Sequence, residues 1–283
     1  MKIIHHRSDF DGIFCREIAK KFLGPEYEIV GYEYGDKIPE VMEDELIYML
    51  DISIPELMNH TRLNWIDHHK TAMDKFGLKP GFQIDGVAAC RLAWQYFNEE
   101  PPNFANRGEN QKTMPSKNDF VERWVVEPLS VRLAGEYDIW DKRDPNTDLF
   151  QHGLRSEELD WSKMFYDESY VKKLLEQGKA LQYYKQKEDE SIIKNNGFEL
   201  KWEELNFLVL NSARFNSLSF DSRVTKDHDA LLGFKWTGDK WIISLYHTPF
   251  NKEIDLSKIA IKYGGGGHKG ACGFTCKTLP FNL

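Results

Sequence analysis

The sequence predicts an α/β fold, with an N-terminal, mostly parallel sheet flanked by helices and a smaller C-terminal α+β domain. In the first half of the chain, short apolar runs alternate with helical patterns, which is typical of βαβ units. A long, charged amphipathic pattern follows, and strand-like runs dominate after it. The length of 283 residues fits about two domains of roughly 150 residues each. We therefore predict a first domain at 1–168, a connector helix at 169–197 and a second domain at 198–283.

Four apolar runs predict the N-terminal strands, because strands buried on both faces of a parallel sheet are short and almost entirely apolar. They are the segments at 2–4, 28–32, 46–50 and 63–66. Three of these runs end directly before a polar cluster, at His5, Asp51 and Asp67. In an open α/β sheet the ligand site lies outside the carboxyl ends of the strands. We therefore expect these three strands to bring their polar clusters to one crevice.

Two helices are predicted between the strands. The first begins after Asp11-Gly12, has apolar residues at helical spacing and ends at Gly24-Pro25. The second begins near Asp85, which has a side chain suited to an N-cap. The polar, proline-containing segment at 98–119 lacks periodicity and is predicted to be an exposed loop or insertion.

The second half begins with the predicted connector, an amphipathic pattern over 169–196 with Gly197 suited to its C-terminus. Beyond it, the pattern becomes strand-like. The predicted elements are strands at 205–210, 230–236 and 241–246, a hairpin turn at 237–240 and a short helix at 255–263. A glycine-rich segment at 264–274 closes the second domain.

Composition and charge exclude several classes of protein. The chain has 37 basic and 45 acidic residues, and its net charge of -8 argues against a binder of duplex DNA. A small anionic substrate fits this balance, because bound divalent metals can dominate the local charge. The four scattered cysteines argue against a disulfide framework. Because the sequence has neither a signal peptide nor a run of ~18 apolar residues, we expect a cytoplasmic protein without a membrane partner.

The first polar cluster has the spacing His5-x-x-x-Asp9-x-Asp11. On an extended segment Asp9 and Asp11 share one side, so that one carboxylate can go to each of two metals. Oxygen donors mixed with a few imidazoles suit manganese or magnesium better than a structural zinc, which prefers thiolates. The alternative is an aspartate that caps a helix, next to a solvated histidine.

The other two clusters follow the neighbouring apolar runs. A strand-end aspartate is usually a cap or turn residue, so the position of Asp51 between the other clusters is what supports a ligand role. The Asp67-His68-His69 cluster follows a buried strand, where burial without a metal or partners would be costly. Adjacent histidines point to different sides of an extended segment, which predicts separate roles for His68 and His69. Two further acids are candidate ligands or solvated helix-end acids, Asp138 and Asp141.

The run from Gly264 to Gly267, followed by His268, is the last cluster. Four glycines carry an entropic cost in a packed domain, so they indicate either a flexible linker or a close approach of backbone to a ligand. Patterned residues on both sides argue against a linker. Backbone N–H groups in such a loop can hold an anion, and His268 and Lys269 add donors. The spacing of a P-loop is absent.

Together these clusters resemble the motifs of the DHH phosphoesterase superfamily. The cluster at 67–69 is similar to its name motif, the cluster at 5–11 to its first motif, and Asp51 and Asp138 to its second and fourth. The segment GGGGHKGACGF resembles the signature of the DHH-associated C-terminal domain. Within the superfamily, the sequences GEYDIWD and FQHGL, followed by a long helix, most resemble the short oligoribonucleases of the NrnB type.

The resemblance implies an active site with two divalent metal ions, with manganese favoured and magnesium as the alternative. The implied ligands of the first ion are His5, Asp9 and Asp51. The implied ligands of the second ion are Asp11, Asp51, His68 and Asp138. Asp51 would then bridge the two ions, and His69 would face the substrate phosphate or support the site. The implied substrate-binding residues, across a cleft between the two domains, are Gly265, Gly266, Gly267 and His268.

The implied activity is hydrolysis of short single-stranded oligonucleotides to mononucleotides by a water that two metals activate. Three alternatives share this chemistry: a phosphatase of adenosine 3′,5′-bisphosphate, a phosphodiesterase of linear dinucleotides, and an exopolyphosphatase. Aromatic residues in the C-terminal half offer stacking surface for bases and disfavour polyphosphate. A non-catalytic nucleotide-binding module is disfavoured because every expected ligand position is filled. The sequence leaves open the choice between RNA and DNA and the formation of a homodimer.

Overall fold

The computed structural model describes residues 1–98 and 126–282, and it divides into two compact units, Met1–Gln182 and Tyr183–Leu283. The division falls inside one long helix rather than at one of its ends. Except for Asn98, the loop predicted at 98–119 lies outside the described residues. Within the described ranges, no helix has the length and the apolar character needed to cross a lipid bilayer.

A five-stranded parallel sheet forms the centre of the first unit, which confirms the predicted α/β class. Its strands are β1 (Lys2–His6), β2 (Glu28–Tyr32), β3 (Ile47–Leu50), β4 (Leu63–Asp67) and β5 (Gly81–Gln83). Their order in the sheet is β2-β1-β3-β4-β5, with every neighbouring pair parallel. The chain crosses from β1 to β2 on one side and then to β3 on the other. The gap between the carboxyl ends of β1 and β3 is therefore a topological switch point, where α/β sheets bind ligands.

Helices cover both faces of this sheet. They are α1 (Phe10–Leu23), α2 (Lys70–Phe76), α3 (Ala89–Asn98), α4 (Leu129–Asp138), α5 (Thr147–Gly153), α6 (Trp161–Met164) and the first part of α7 (Glu168–Asn196). Alternate strand residues enter different cores: Ile3 packs with α1 and α3, whereas Ile4 packs with α2. Because both faces are apolar, the polar clusters lie at the strand ends.

The structure corrects the predicted start of the second helix. Helix α3 begins at Ala89 and not near Asp85, and its first N–H groups are capped by a residue 78 positions earlier in the chain. The carboxylate of Asp11 accepts hydrogen bonds from the N–H of Ala89 at 2.8 Å and from the N–H of Cys90 at 2.7 Å. A long-range cap of this kind satisfies N–H groups that a helix leaves unpaired at its start. These hydrogen bonds also fix the position of the Asp11 carboxylate beside the start of α3.

A mixed six-stranded sheet forms the second unit, in the order β10-β11-β9-β8-β7-β6. Its strands are β6 (Gly197–Trp202), β7 (Leu205–Asn211), β8 (Ala230–Trp236), β9 (Trp241–His247), β10 (Gly266–His268) and β11 (Ala271–Cys276). Only β7 and β8 pair in parallel, and a short helix α8 (Ser257–Lys262) precedes β10. The predicted strands and helix are present. The additional strands are β6, which continues directly from the long helix α7, and β10 and β11 in the glycine-rich segment.

Candidate metal centre

Acidic and histidine side chains converge at the carboxyl ends of β1, β3 and β4. They form three overlapping groups in which one donor atom per residue lies within 4.8 Å of the others. The groups are His6–Asp9–Asp51, Asp11–His68–Asp138 and Asp51–Asp67–His68–His69. The register of the strands explains the convergence, since His5 of β1 pairs with Leu50 of β3, and Leu50 pairs with Ile66 of β4. The next residues along these strands therefore meet at one edge.

The first group is built on the loop between β1 and α1. The Nδ1 atom of His6 lies 2.6 Å from Oδ2 of Asp9 and 3.5 Å from Oδ2 of Asp51. Asp9 also begins α1, because its Oδ1 accepts a hydrogen bond from the N–H of Gly12 at 2.9 Å. The sequence left open whether Asp9 caps a helix or serves as a donor to a metal. In the structure both are possible, since Oδ1 caps α1 and Oδ2 faces His6.

The donor group contains His6 and not His5, the residue that the sequence predicted as a ligand. Neighbouring residues of a strand point to opposite faces, so His5 lies on the other face of β1 from His6. Its side chain is buried, and its Nδ1 lies 2.7 Å from the carbonyl oxygen of His6. Burial lowers the pKa of His5 to about 4, so its ring is neutral at pH 7. His5 is therefore a core residue beside the site.

The second group is built around His68. Its Nε2 atom lies 3.2 Å from Oδ2 of Asp138, 3.5 Å from Oδ1 of Asp51 and 3.6 Å from Oδ2 of Asp11. The two oxygens of Asp51 thus approach different histidines, Oδ2 towards His6 and Oδ1 towards His68. This is the geometry expected of a carboxylate that is shared between two cations.

Asp51 combines backbone strain with an unpaired buried atom. Its φ of 57° lies in the left-handed region, which is costly for a residue other than glycine. Its Oδ1 is buried without a hydrogen-bond partner. A buried polar atom without a partner is rare, and one that lies among other carboxylates and histidines fits a site for cations. The donor set therefore fits the divalent metals that the sequence implies.

The ionisable side chains of the three donor groups also favour the binding of cations. Burial, followed by the charge of Asp51, raises the pKa of Asp11 to about 7, and burial with the charge of Asp11 raises the pKa of Asp138 to about 7. Hydrogen bonds to Asp51 and Asp9 raise the pKa of His6 to about 11. Burial alone would lower the pKa of His68, but Asp51, Asp11 and Asp138 outweigh it and raise the pKa to about 10. In the absence of metal, protons balance this concentration of negative charge.

Asp67 serves a different purpose from the other carboxylates. It is fully buried, and its Oδ1 accepts hydrogen bonds from the backbone N–H groups of His68 at 2.7 Å and His69 at 3.0 Å. Its Oδ2 accepts one from Nε1 of Trp65 at 3.0 Å. Nδ1 of His69 also lies 2.7 Å from Oδ1, and this contact raises the pKa of His69. Asp67 thus fixes the turn after β4 and orients the half-exposed ring of His69.

The structure places Asp138, and not Asp141, beside the second group. Asp138 is the last residue of α4 and lies beside His68, as described above. Asp141 lies three residues further along, where its Oδ2 is 2.8 Å from Nε of Arg143. Its backbone N–H donates to the carbonyl oxygen of Glu136 at 3.0 Å.

Glu33 is a residue that the sequence did not single out. It follows β2, and its Oε1 lies 3.3 Å from Nε2 of His6, while the hydroxyl of Ser8 lies 3.0 Å from the same nitrogen. A carboxylate on the far nitrogen of a ligating histidine fixes the tautomer and the orientation of the ring. The available sequence signal was its position directly after the predicted strand at 28–32.

The glycine-rich segment forms the hairpin of β10 and β11 in the second unit. A Cβ on Gly265 or Gly267 would collide with β11, and Gly264 and Gly267 have φ of 80° and 130°. These three glycines are therefore explained by the fold itself. Gly266 differs, because a Cβ there would meet no atom within 4 Å. Gly266 and the exposed His268 are the members of the predicted substrate loop that the fold of the unit does not explain.

No protein-family profile and no curated protein sequence matches the chain. Solved structures do share its fold. The DHH domain of a protein classed with a family of ribosomal proteins has a TM-score of 0.54 at 12% identity, over 96% of this chain and 81% of that one. An exopolyphosphatase-related protein from Bacteroides fragilis has a TM-score of 0.48 at 13% identity, over 100% and 87%. The pGpG-specific phosphodiesterase PggH from Vibrio cholerae has a TM-score of 0.47 at 15% identity, over 98% and 93%. The likeness to the first of these structures, with its TM-score above 0.5, shows that the chain has the fold of a DHH domain.

Proposed function

We propose that this chain is a metal-dependent phosphodiesterase of the DHH superfamily that hydrolyses short single-stranded oligonucleotides to mononucleotides. The observation that carries the proposal is Asp51, whose two oxygens approach separate donor groups from a strained, buried position. Enzymes that hydrolyse phosphate esters often use two metals about 3.5–4 Å apart, which hold the attacking and leaving oxygens. A shared carboxylate is the feature that sets such a spacing.

The proposed ligands follow the two donor groups. The first ion is assigned to His6, Asp9 and Asp51, with His6 in place of His5. The second ion is assigned to Asp11, Asp51, His68 and Asp138. Carboxylate oxygens and imidazoles without thiolates suit Mn²⁺, with Mg²⁺ as the alternative. When bound, the ions would supply positive charge to the phosphoryl oxygens and lower the pKa of a water nucleophile.

His69 is assigned to the substrate phosphate. Its Nδ1 is engaged by Asp67, and its side chain is 48% exposed. The hydrogen bond to Asp67 raises the pKa of His69, which favours the protonated ring. A protonated ring held in this way can donate its Nε2–H to a phosphoryl oxygen, where negative charge increases during hydrolysis. His69 therefore needs no role as a ligand.

The second unit is assigned to substrate binding. We propose that Gly265, Gly266, Gly267 and His268 hold the part of the nucleotide that does not react. The open space beside Gly266 and the exposed ring of His268 support this assignment. Backbone N–H groups can approach a phosphate closely where no Cβ intervenes.

A substrate panel tests the proposed function. Purified protein is incubated with Mn²⁺ and labelled dinucleotides, five-mers, adenosine 3′,5′-bisphosphate or polyphosphate, with a parallel series in EDTA. We expect Mn²⁺-dependent conversion of dinucleotides and five-mers to mononucleotides. Turnover of the bisphosphate or polyphosphate alone would contradict the proposal in favour of those activities. Nucleotide binding without turnover of any substrate would indicate a non-catalytic module.

A further inference from the structure

Tyr34 is an exposed tyrosine beside the first donor group. It follows Glu33 after the end of β2, and it is 59% exposed. The centre of its ring lies 6.4 Å from the centre of the His6 ring, and the two ring planes are tilted by 54°. This separation is within the range of an aromatic contact. An exposed aromatic ring therefore lies next to a residue that is assigned to the first ion.

The backbone of Tyr34 is fixed by a turn over residues 33–36. The N–H of Asp36 donates a hydrogen bond to the carbonyl oxygen of Glu33 at 2.9 Å, and the N–H of Glu33 donates one to Oδ2 of Asp36 at 2.9 Å. Gly35 has a φ of 102°, which suits the third position of a tight turn. Tyr34 is the second residue of this turn, so its backbone has little freedom to move.

The tip of the Tyr34 side chain contacts the loop that follows β3. Its hydroxyl accepts a hydrogen bond from the N–H of Ser53 at 3.4 Å and lies 3.4 Å from the Oγ atom of the same residue. Ser53 is buried and stands two residues after Asp51, the shared carboxylate. A tyrosine that is positioned before its ligand arrives loses little conformational freedom on binding. The ring is thus held beside the metal centre while much of its surface stays exposed.

Two other exposed tyrosine or tryptophan side chains lie in the described part of the first unit, Trp140 and Tyr166. Each has a lysine ammonium over its ring: Nζ of Lys142 is 3.3 Å from the ring centre of Trp140, and Nζ of Lys21 is 4.4 Å from that of Tyr166. Those two rings already pair with cations of the chain. Within residues 1–98 and 126–182, Tyr34 is the exposed aromatic side chain with a ring contact to a donor residue.

We propose that Tyr34 stacks against a nucleobase of the substrate, in a nucleotide next to the phosphodiester at the metal centre. Every base has a π face, so stacking on one tyrosine binds nucleotides with little dependence on their sequence. Polyphosphate has no planar group, so this contact favours a nucleotide over polyphosphate. The inference rests on the proposed function, because it takes the metal centre as the position of the reacting phosphodiester.

The test compares one dinucleotide with its two abasic forms, each of which lacks one of the two bases. Tyr34→Ala should lower kcat/KM on the intact dinucleotide by about 5- to 150-fold, the range for losing one stacked base, mainly through KM. The same loss is expected on the abasic form that keeps the stacked base, and no loss on the other form. Tyr34→Phe keeps the ring and should retain most of the wild-type kcat/KM. Tyr166→Ala, at another exposed tyrosine of the first unit, is the matched control and should behave as the wild type.

Fluorescence measures the stacking without turnover. The probe is a dinucleotide with a non-hydrolysable phosphonate linkage and 2-aminopurine in place of the stacked base. Its fluorescence should be quenched on binding to the wild type and to Tyr34→Phe, and less quenched at saturation by Tyr34→Ala. Metal content should be the same in all variants, because Tyr34 belongs to none of the donor groups.

The outcomes separate this inference from the proposed function. Absence of Mn²⁺-dependent turnover of the dinucleotide by the wild type would contradict the proposed function, and the 2-aminopurine titration then still tests Tyr34. Equal loss on the intact and both abasic forms, an unchanged kcat/KM in Tyr34→Ala, or no quenching by the wild type would overturn the inference. Fewer bound ions in Tyr34→Ala would also overturn it, because the ring would then serve only to support His6.

Discussion

His5 and His6 are neighbours on β1, yet one is a buried core residue and the other faces Asp9 and Asp51. We expect His6→Ala to weaken Mn²⁺ binding by more than the 10- to 100-fold typical of losing an outer-shell partner, because a direct donor is removed. His5→Ala should lower the melting temperature through lost packing while leaving the number of bound ions unchanged. Calorimetric titration with Mn²⁺, alongside thermal melting, measures both. Loss of metal in His5→Ala with full binding in His6→Ala would reverse the assignment.

The spacing of the first cluster predicted His5 as the donor, whereas the donor group contains His6. Both lie near the end of the apolar run, and which one faces the carboxylates depends on the pleat of β1 and the register with β3. Asp9, Asp11 and Asp51 were predictable as donors because they follow the ends of β1 and β3, whereas Asp138 ends the helix α4. The bond between His6 and Glu33 was not, since it joins residues 27 apart through a strand order that the sequence does not contain.

In the β10–β11 hairpin, the residues that packing requires can be distinguished from those that we propose to bind substrate. Gly266 has open space and no positive φ, so Gly266→Val should leave the melting temperature nearly unchanged while it excludes a phosphate. His268→Ala should lower kcat/KM on a short oligonucleotide by about 10- to 150-fold without loss of metal. Thr275→Val, at an exposed position on β11, is the control for a substitution in this hairpin that should not affect substrate binding. Full activity in both loop variants would mean that the hairpin does not bind substrate.

The elements themselves were mostly predictable, because apolar periodicity depends on local sequence. The long helix and three strands of the second unit, β7, β8 and β9, were predicted from that pattern. The start of α3 was not, because its cap is Asp11 and not the nearby Asp85. The strand β6 was missed because Gly197 was interpreted only as a helix end, while its pairing with β7 arises from tertiary contacts.

At the scale of the whole molecule, the titratable groups of the metal centre make the stability of the metal-free protein depend on pH. The pKa values of Asp11 and Asp138 are raised to about 7, and those of His6 and His68 to about 11 and about 10. The metal-free folded chain therefore keeps protons that the unfolded chain releases, so these groups make its unfolding free energy fall as pH rises from about 4 to about 10. Bound Mn²⁺ replaces those protons. The increase in melting temperature on adding Mn²⁺ should thus be larger at pH 8 than at pH 5.5.

Thermal melting in EDTA and in Mn²⁺ at pH 5.5, 7 and 8 measures this effect. An increase that is the same at all three pH values would contradict the proton balance of the site.

The fold class was predictable from the alternation of strands and helices, whereas the sheet order was not. The order of the strands depends on contacts between distant segments.

The central claim is that Asp51 is shared by two metal ions in a hydrolytic site. The most direct test is the Mn²⁺ content and the dinucleotide turnover of Asp51→Asn, beside the wild type and the control Asp141→Asn. Asparagine tolerates the positive φ of this position, so the metal-free fold should be retained. We expect two ions and full turnover in the wild type and the control, and fewer than two ions without measurable turnover in Asp51→Asn. Two bound ions and near-normal turnover in Asp51→Asn would contradict the claim.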